Sequence, residues 1–157
     1  MRAVVAREFG APERFSMETM PIRPPGAEEV CITIQAAGVS FVDTLIAAGK
    51  YQVKPSIPFT PGSEFSGIVA TVGDGVRALK PGDRVCGSAL CGGFAEQIVV
   101  PARAVSPAPA ILDCDEAAVF RVSYSTAYHA LVQRGMLVDG ESVLVLGGGG
   151  AIGGEPG

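Results

Sequence analysis

Phe65-Ser66-Gly67-Ile68-Val69-Ala70-Thr71-Val72-Gly73-Asp74-Gly75 is a short β-type segment that runs straight into a glycine-rich turn. The glycines supply the φ > 0 freedom that a sharp reversal needs. The same rhythm extends outward in both directions. Upstream, Val4 to Arg7 and Glu29 to Ala36 read as strands, with Pro24-Pro25-Gly26 as a turn between them. Downstream, Lys80-Pro81-Gly82-Asp83 turns the chain into Asp83 to Cys86, and Phe94 to Val100 follows. Short strands at this spacing predict a small barrel or sandwich. A short helix is predicted over Phe41 to Ala48, with Phe41, Leu45 and Ile46 on one face and Gly49 ending it.

Past Pro107 and Pro109 the pattern changes. Asp113 and Glu116 have the spacing of a capping box, and Ala117 to Gln133 lacks glycine and proline, so a helix is predicted there with Gly135 as its stop. Asp139-Gly140 then turns the chain into Val143 to Leu146, an unbroken apolar run suited to a parallel strand covered on both faces. Gly147-Gly148-Gly149-Gly150-Ala151-Ile152-Gly153 follows, in which Gly147, Gly150 and Gly153 fit a permissive G-x-x-G-x-x-G spacing. A strand that opens into such glycines is how a dinucleotide-binding fold begins, because backbone without side chains can approach a pyrophosphate. The next residues, Gly154-Glu155-Pro156-Gly157, are poor helix material. The chain therefore reads as one whole domain and the threshold of a second.

The 157 residues suffice for one domain with a substantial core. The content of 48% hydrophobic residues, 21 Gly and 12 Pro fits a β-rich fold with many tight turns better than a helical bundle or a disordered chain. A formal net charge of -4 offers no basic field for phosphate backbones or anionic lipid, which argues against nucleic-acid and membrane-surface partners. The first residues, Met1 to Glu8, alternate like a strand and lack the cationic head and apolar stretch of a signal peptide, so a cytoplasmic location is expected. Cys31, Cys86, Cys91 and Cys114 are scattered and read as reduced thiols.

Several segments in order resemble the medium-chain dehydrogenase/reductase superfamily, and within it the zinc-independent quinone oxidoreductase-like branch. They are Ala37-Gly38-Val39-Ser40-Phe41-Val42-Asp43, Gly49-Lys50-Tyr51, Pro58-Phe59-Thr60-Pro61-Gly62-Ser63-Glu64-Phe65-Ser66-Gly67, Val72-Gly73-Asp74-Gly75-Val76, Lys80-Pro81-Gly82-Asp83-Arg84-Val85, Gly92-Gly93-Phe94-Ala95-Glu96 and Thr126-Ala127-Tyr128-His129-Ala130-Leu131. The resemblance implies a mainly β fold with some α. Residues 1–112 would form a GroES-like β-barrel substrate domain. Residues 113–157 would form a connecting helix, the first strand and the glycine-rich turn of an incomplete Rossmann domain. NADPH is the implied cofactor, with NAD as the alternative, and a homodimer is implied for a full-length form.

Zinc-dependent relatives place their catalytic ligands at the positions of Ser40, Ser63 and Val122, none of which is a usual zinc ligand here. A metal-free enzyme is expected. Glu64, beside one of those positions, is read as accepting hydrogen bonds from nearby amides or a basic side chain, and the single histidine, His129, as a packing or surface residue. Without zinc, charge developing on a substrate oxygen must be met by hydrogen-bond donors. By resemblance, the catalytic donors are Ser40, which also suits a helix cap, and Tyr51, which also suits an aromatic packed on its loop. Asp43 is placed either to orient a neighbouring donor or to meet the helix dipole. Tyr124, Thr126, Gly147, Gly150 and Gly153 are the implied cofactor-binding residues.

The implied activity is transfer of hydride to a quinone or an α,β-unsaturated carbonyl compound, this chain carrying the substrate-domain half. The alternatives are an enoyl or acryloyl thioester reductase of the same superfamily, or a catalytically incompetent GroES-like binding module. The isolated 157-residue chain is expected to be inactive.

Overall fold

The computed structural model describes residues 1–150 and 152. Their strands are β1 (Arg2–Val5), β2 (Ser16–Thr19), β3 (Glu29–Gly38), β4 (Glu64–Val72), β5 (Arg84–Ser88), β6 (Gln97–Pro101) and β7 (Val105–Pro107). Helix α1 (Phe41–Ala47) follows β3, and α2 (Cys114–Tyr128) runs into a wider π-helical stretch at His129–Arg134. The fold is mixed, with most of the regular structure in sheet. The chain divides into two compact units, Met1–Val119 and Phe120–Gly157.

In the first unit, five strands form an antiparallel sheet in the order β6-β3-β4-β5-β7, and β1 pairs with β2 as a separate ribbon. β3 and β4 are the long central pair, in register from Val30 opposite Val72 to Gly38 opposite Glu64. Two irregularities, at Cys31/Ile32 and Ile34/Ala36, interrupt that ladder. Extra residues of this kind increase local twist, which lets a sheet curl over its own core. The core consists of Val30, Ile32, Phe65, Val69, Val85, Ile98, Val100 and Val105, with Val76 and Leu79 from the connection after β4. β-branched residues dominate because they pack well on a pleated surface.

The Gly73-Asp74-Gly75 turn that follows β4 is held against the loop before β3: Gly73 N donates to Glu29 O at 2.9 Å, and Gly75 N donates to Ala27 O at 2.7 Å. A side chain at Gly73 would land on the Gly26 carbonyl oxygen. Glycine is required there by the close approach of two backbones. Glu29 reinforces the junction from its side chain, accepting from Arg23 Nη2 at 2.7 Å and from Gly26 N at 2.8 Å. The Arg23 guanidinium, with that backbone N–H, holds the Glu29 carboxyl down to about 2.

The start of α2 matches its predicted capping box. Asp113 N donates to Glu116 Oε2 at 3.0 Å and Glu116 N to Asp113 Oδ1 at 2.9 Å, satisfying two N–H groups that a helix start leaves open. Gly135 caps the wider turn after it. Ser66 Oγ also donates to Cys114 O, and Arg84 Nη2 donates to Leu112 O at 2.8 Å, so strands β4 and β5 hold the approach to α2.

Three expectations change. Phe41 is not on the inner face of α1: it is 75% exposed, and the buried helix residues are Asp43, Ile46 and Ala47. A seven-residue helix presents a single narrow stripe inward, and the first residue of α1 falls off that stripe. Val143 to Leu146 is not a paired strand; it runs without regular structure, with Leu144 84% and Leu146 85% exposed. Among the described residues no strand lies beside it to take its backbone hydrogen bonds, and a lone strand has nothing to stabilise it. β2 and β7 form where no strand was expected, because pairing with β1 and β5 supplies what their own sequences lack.

Gly73→Ala is expected to lower stability by about 1–3 kcal/mol through overpacking, read as a lower urea midpoint with an unchanged slope; an unchanged midpoint contradicts the close approach. For Glu29 the sign is that of a depressed carboxyl. Its contribution is complete above the ordinary value of 4.5 and is lost as pH falls from there through about 2. Glu29→Gln should therefore flatten the fall in melting temperature across that window and leave its shape above it unchanged.

Candidate active-site wall and cofactor turn

The β3–β4 ladder ends where Gly38 faces Glu64, and the first part of α2 closes over that end: a Cβ at Gly38 would lie 2.8 Å from Val119 Cγ1 and 3.5 Å from Glu64 Cβ. Glu64 is 8% exposed. From here β3 delivers Val39 and Ser40. Ser40 is extended (φ -119°, ψ 166°) and sits as the N-cap of α1.

Asp43, three residues on, reaches back to it. Its Oδ2 accepts from Ser40 N at 2.8 Å and from Ser40 Oγ at 3.1 Å, while Asp43 N donates to Ser40 O at 3.1 Å. Asp43 is only 5% exposed, and its Oδ1 has no hydrogen-bond partner among the described residues. A carboxylate cannot donate, so the single hydrogen of the Ser40 hydroxyl is turned toward Asp43. Ser40 thus presents lone pairs, and it can donate to a substrate only by leaving a buried charge held through one N–H. Ser40 is the N-cap residue of α1, and its hydroxyl is bonded to Asp43. Asp43 likewise orients its neighbour and sits at the helix start. What the sequence did not show was the burial of Asp43, although a Ser-x-x-Asp spacing at a helix start is a detectable signal.

Val39 and Phe41, on either side of Ser40, are 79% and 75% exposed. An exposed apolar pair flanking a polar group suits a flat, weakly polar ligand. Tyr51 lies past the other end of α1, where Tyr51 N donates to Leu45 O at 3.2 Å, and its half-buried ring packs on the cluster of Ala6, Ile46 and Phe59. Ser40 and Tyr51 therefore bracket the same short helix. Ser63, just before β4, is half-buried.

In the second unit, Tyr124 is 45% exposed, its ring 4.3 Å from that of Phe120, and Thr126 is exposed on the same helix while Ser123 and Ala127 are buried. Val122 is half-buried and has no donor atom. His129 is exposed, with Nδ1 2.7 Å from Gln133 Oε1. In the glycine turn, Gly147 has φ 77°, which favours glycine, with open space where a side chain would point, and Gly150 N donates to Gly147 O at 3.0 Å. Bare, exposed backbone of this kind fits the approach of a pyrophosphate. Gly153 lies outside the described residues. Among the described residues no three His, Cys, Asp or Glu side chains gather as a metal-ligand set, and no helix is long and apolar enough to cross a membrane.

Residues 26–110 match the alcohol dehydrogenase GroES-like domain. The chain is 42% identical over 155 residues to a quinone oxidoreductase of Rattus norvegicus, covering 98% of this chain and 47% of that protein. A solved structure of a probable oxidoreductase from Mycobacterium abscessus is 39% identical, with a TM-score of 0.90 over 98% of this chain and 49% of that one. The quinone oxidoreductase from Thermus thermophilus, whose complex with NADPH is also solved, is 35% identical with a TM-score of 0.84, over 98% of this chain and 48% of that one. The chain thus spans about half the length of these relatives. With the GroES-like domain matched across more than half of its residues, the chain belongs to the medium-chain dehydrogenase/reductase superfamily, in the quinone oxidoreductase-like branch.

Proposed function

We propose that this chain is the substrate-domain half of an NADPH-dependent, zinc-independent oxidoreductase that reduces a quinone or an α,β-unsaturated carbonyl compound. The observation that carries the reading is the 42% identity to a quinone oxidoreductase across 98% of the chain. Residues 1–112 serve as the substrate domain, and 113–157 begin the cofactor domain. Bound NADPH supplies the hydride, and NAD is the alternative. Tyr124 and Thr126, both exposed residues, hold the cofactor, and Gly147, Gly150 and Gly153 let its pyrophosphate reach the backbone. A full-length form works as a homodimer.

Within the substrate wall, Val39 and Phe41 offer apolar contact to the flat body of the substrate. Tyr51 and Ser40 meet its oxygen. Tyr51 is the readier donor, because the Ser40 hydrogen is turned toward Asp43. The zinc-independent reading is supported by Val122, which lacks a ligand atom, and by Ser40, whose hydroxyl is already engaged.

Joined to the remaining half of the Thermus thermophilus quinone oxidoreductase, the chain is expected to oxidise NADPH in the presence of a small quinone. A folded fusion that binds NADPH but turns over no quinone, enone or enoyl thioester contradicts the proposal. In that fusion, Tyr51→Phe should lower kcat/KM by about tenfold or more with NADPH affinity unchanged, and Ser40→Ala should cost less. The chain alone is expected to give no turnover and little quenching in an NADPH fluorescence titration; tight binding would show that its own glycine turn suffices.

A further inference from the structure

A second place in the first unit has the make-up of a ligand site. A cavity of about 410 Å³ lies between β1, β2 and α1. Its wall is mostly hydrocarbon, including Val4, Phe15, Met17, Val39, Ala47 and Phe94, and among the described residues Asp43 is its only ionisable group. Ser40 and Tyr51 do not line it. The size and the ratio of apolar wall to polar group are those of small-molecule pockets, which run from about 300 to 1,000 Å³.

Asp43 is the reason to assign the cavity a chemistry. It is 5% exposed, its Oδ2 is occupied by two bonds from Ser40, and its Oδ1 is buried without a hydrogen-bond partner. A carboxylate oxygen in that condition is costly, since it has lost water and gained no donor. Among the described residues no cationic side chain stands in the cavity wall to compensate it. A ligand that brings a positively charged N–H donor would restore what burial removed, and a charge-assisted bond in apolar surroundings is among the stronger ones available. Phe15 and Phe94 suit an aromatic body beneath such a head.

We propose that this cavity binds a small aromatic or branched primary amine, its ammonium on the Asp43 carboxylate and its body among Val4, Phe15, Ala47 and Phe94. The cavity shares Val39 with the substrate wall and its carboxylate holds Ser40, but the amine reading does not depend on the quinone one. The Ser40 N–H bonds the same carboxylate, so occupancy is reported at the Ser40 amide.

The test is a titration of the ¹⁵N-labelled chain with benzylamine hydrochloride and, separately, with neutral benzyl alcohol, followed by amide shifts. Benzylamine is expected to give saturable shifts at Ser40, Thr44 and Ala47 and to bind roughly ten- to a hundredfold tighter than the alcohol, the margin of a hydrogen bond to a charged group. Met17→Trp, at a residue 66% exposed on the rim, should block binding while leaving the remaining spectrum in place. Asp43→Asn should bring the two probes to equal affinity. Absence of saturable shifts, equal affinities in the unaltered chain, or binding that survives Met17→Trp each overturns the proposal. Should Asp43→Asn fail to fold, the amine-to-alcohol comparison and Met17→Trp decide the matter between them.

Discussion

The antiparallel pairing of β3 with β4 is the constraint on which the first unit depends. It joins the two longest strands, brings Val30, Ile32, Phe65 and Val69 into one core, and fixes the register of β5 and β6 on either side. Because side chains alternate across a sheet, a slip of one residue would turn that whole apolar set outward. The two ends of the ladder do different work. At Val30 and Val72, backbone bonds from the Gly73 turn lock the connection; at Gly38 and Glu64, the sheet opens into the segment that carries Ser40.

The polar centre of that segment is unusual for a helix cap. An exposed N-cap gives the open N–H groups of its helix an acceptor and little else, whereas Asp43 closes the capping box from inside the protein at 5% exposure. Burial makes the carboxylate depend on Ser40 for its hydrogen bonds, and that dependence in turn fixes which way the Ser40 hydroxyl points. The Ser40 hydroxyl, expected to donate to a substrate oxygen, therefore donates at rest to Asp43. The same burial leaves Oδ1 without a hydrogen-bond partner among the described residues.

Much of the fold was legible along the chain. Strands β3, β4 and β5 are apolar runs bounded by Gly or Pro, and the α2 start carries Asp113 and Glu116 at capping distance. β2, Ser-Met-Glu-Thr, and β7, Val-Ser-Pro, were not legible: neither has strand composition, and each exists through a neighbour's hydrogen bonds. Phe41 was misplaced for a related reason, since a periodic pattern over seven residues does not fix which edge of a helix meets the core. Val143 to Leu146 has the sequence of a buried parallel strand, yet a strand is a property of a pair, and no described segment pairs with it.

By itself, the sequence determined the strand rhythm, the turns that require glycine or proline, the helix caps and the ordered motifs of the superfamily. These are local in the chain and follow from backbone sterics and side-chain type. Tertiary structure alone decided which polar groups lose water. It buried Asp43 while leaving Val39 and Phe41 exposed, and it set a cavity against that one carboxylate. Desolvation depends on everything packed around a group, and residues as far apart in sequence as Val4, Asp43 and Phe94 meet only when the chain has folded.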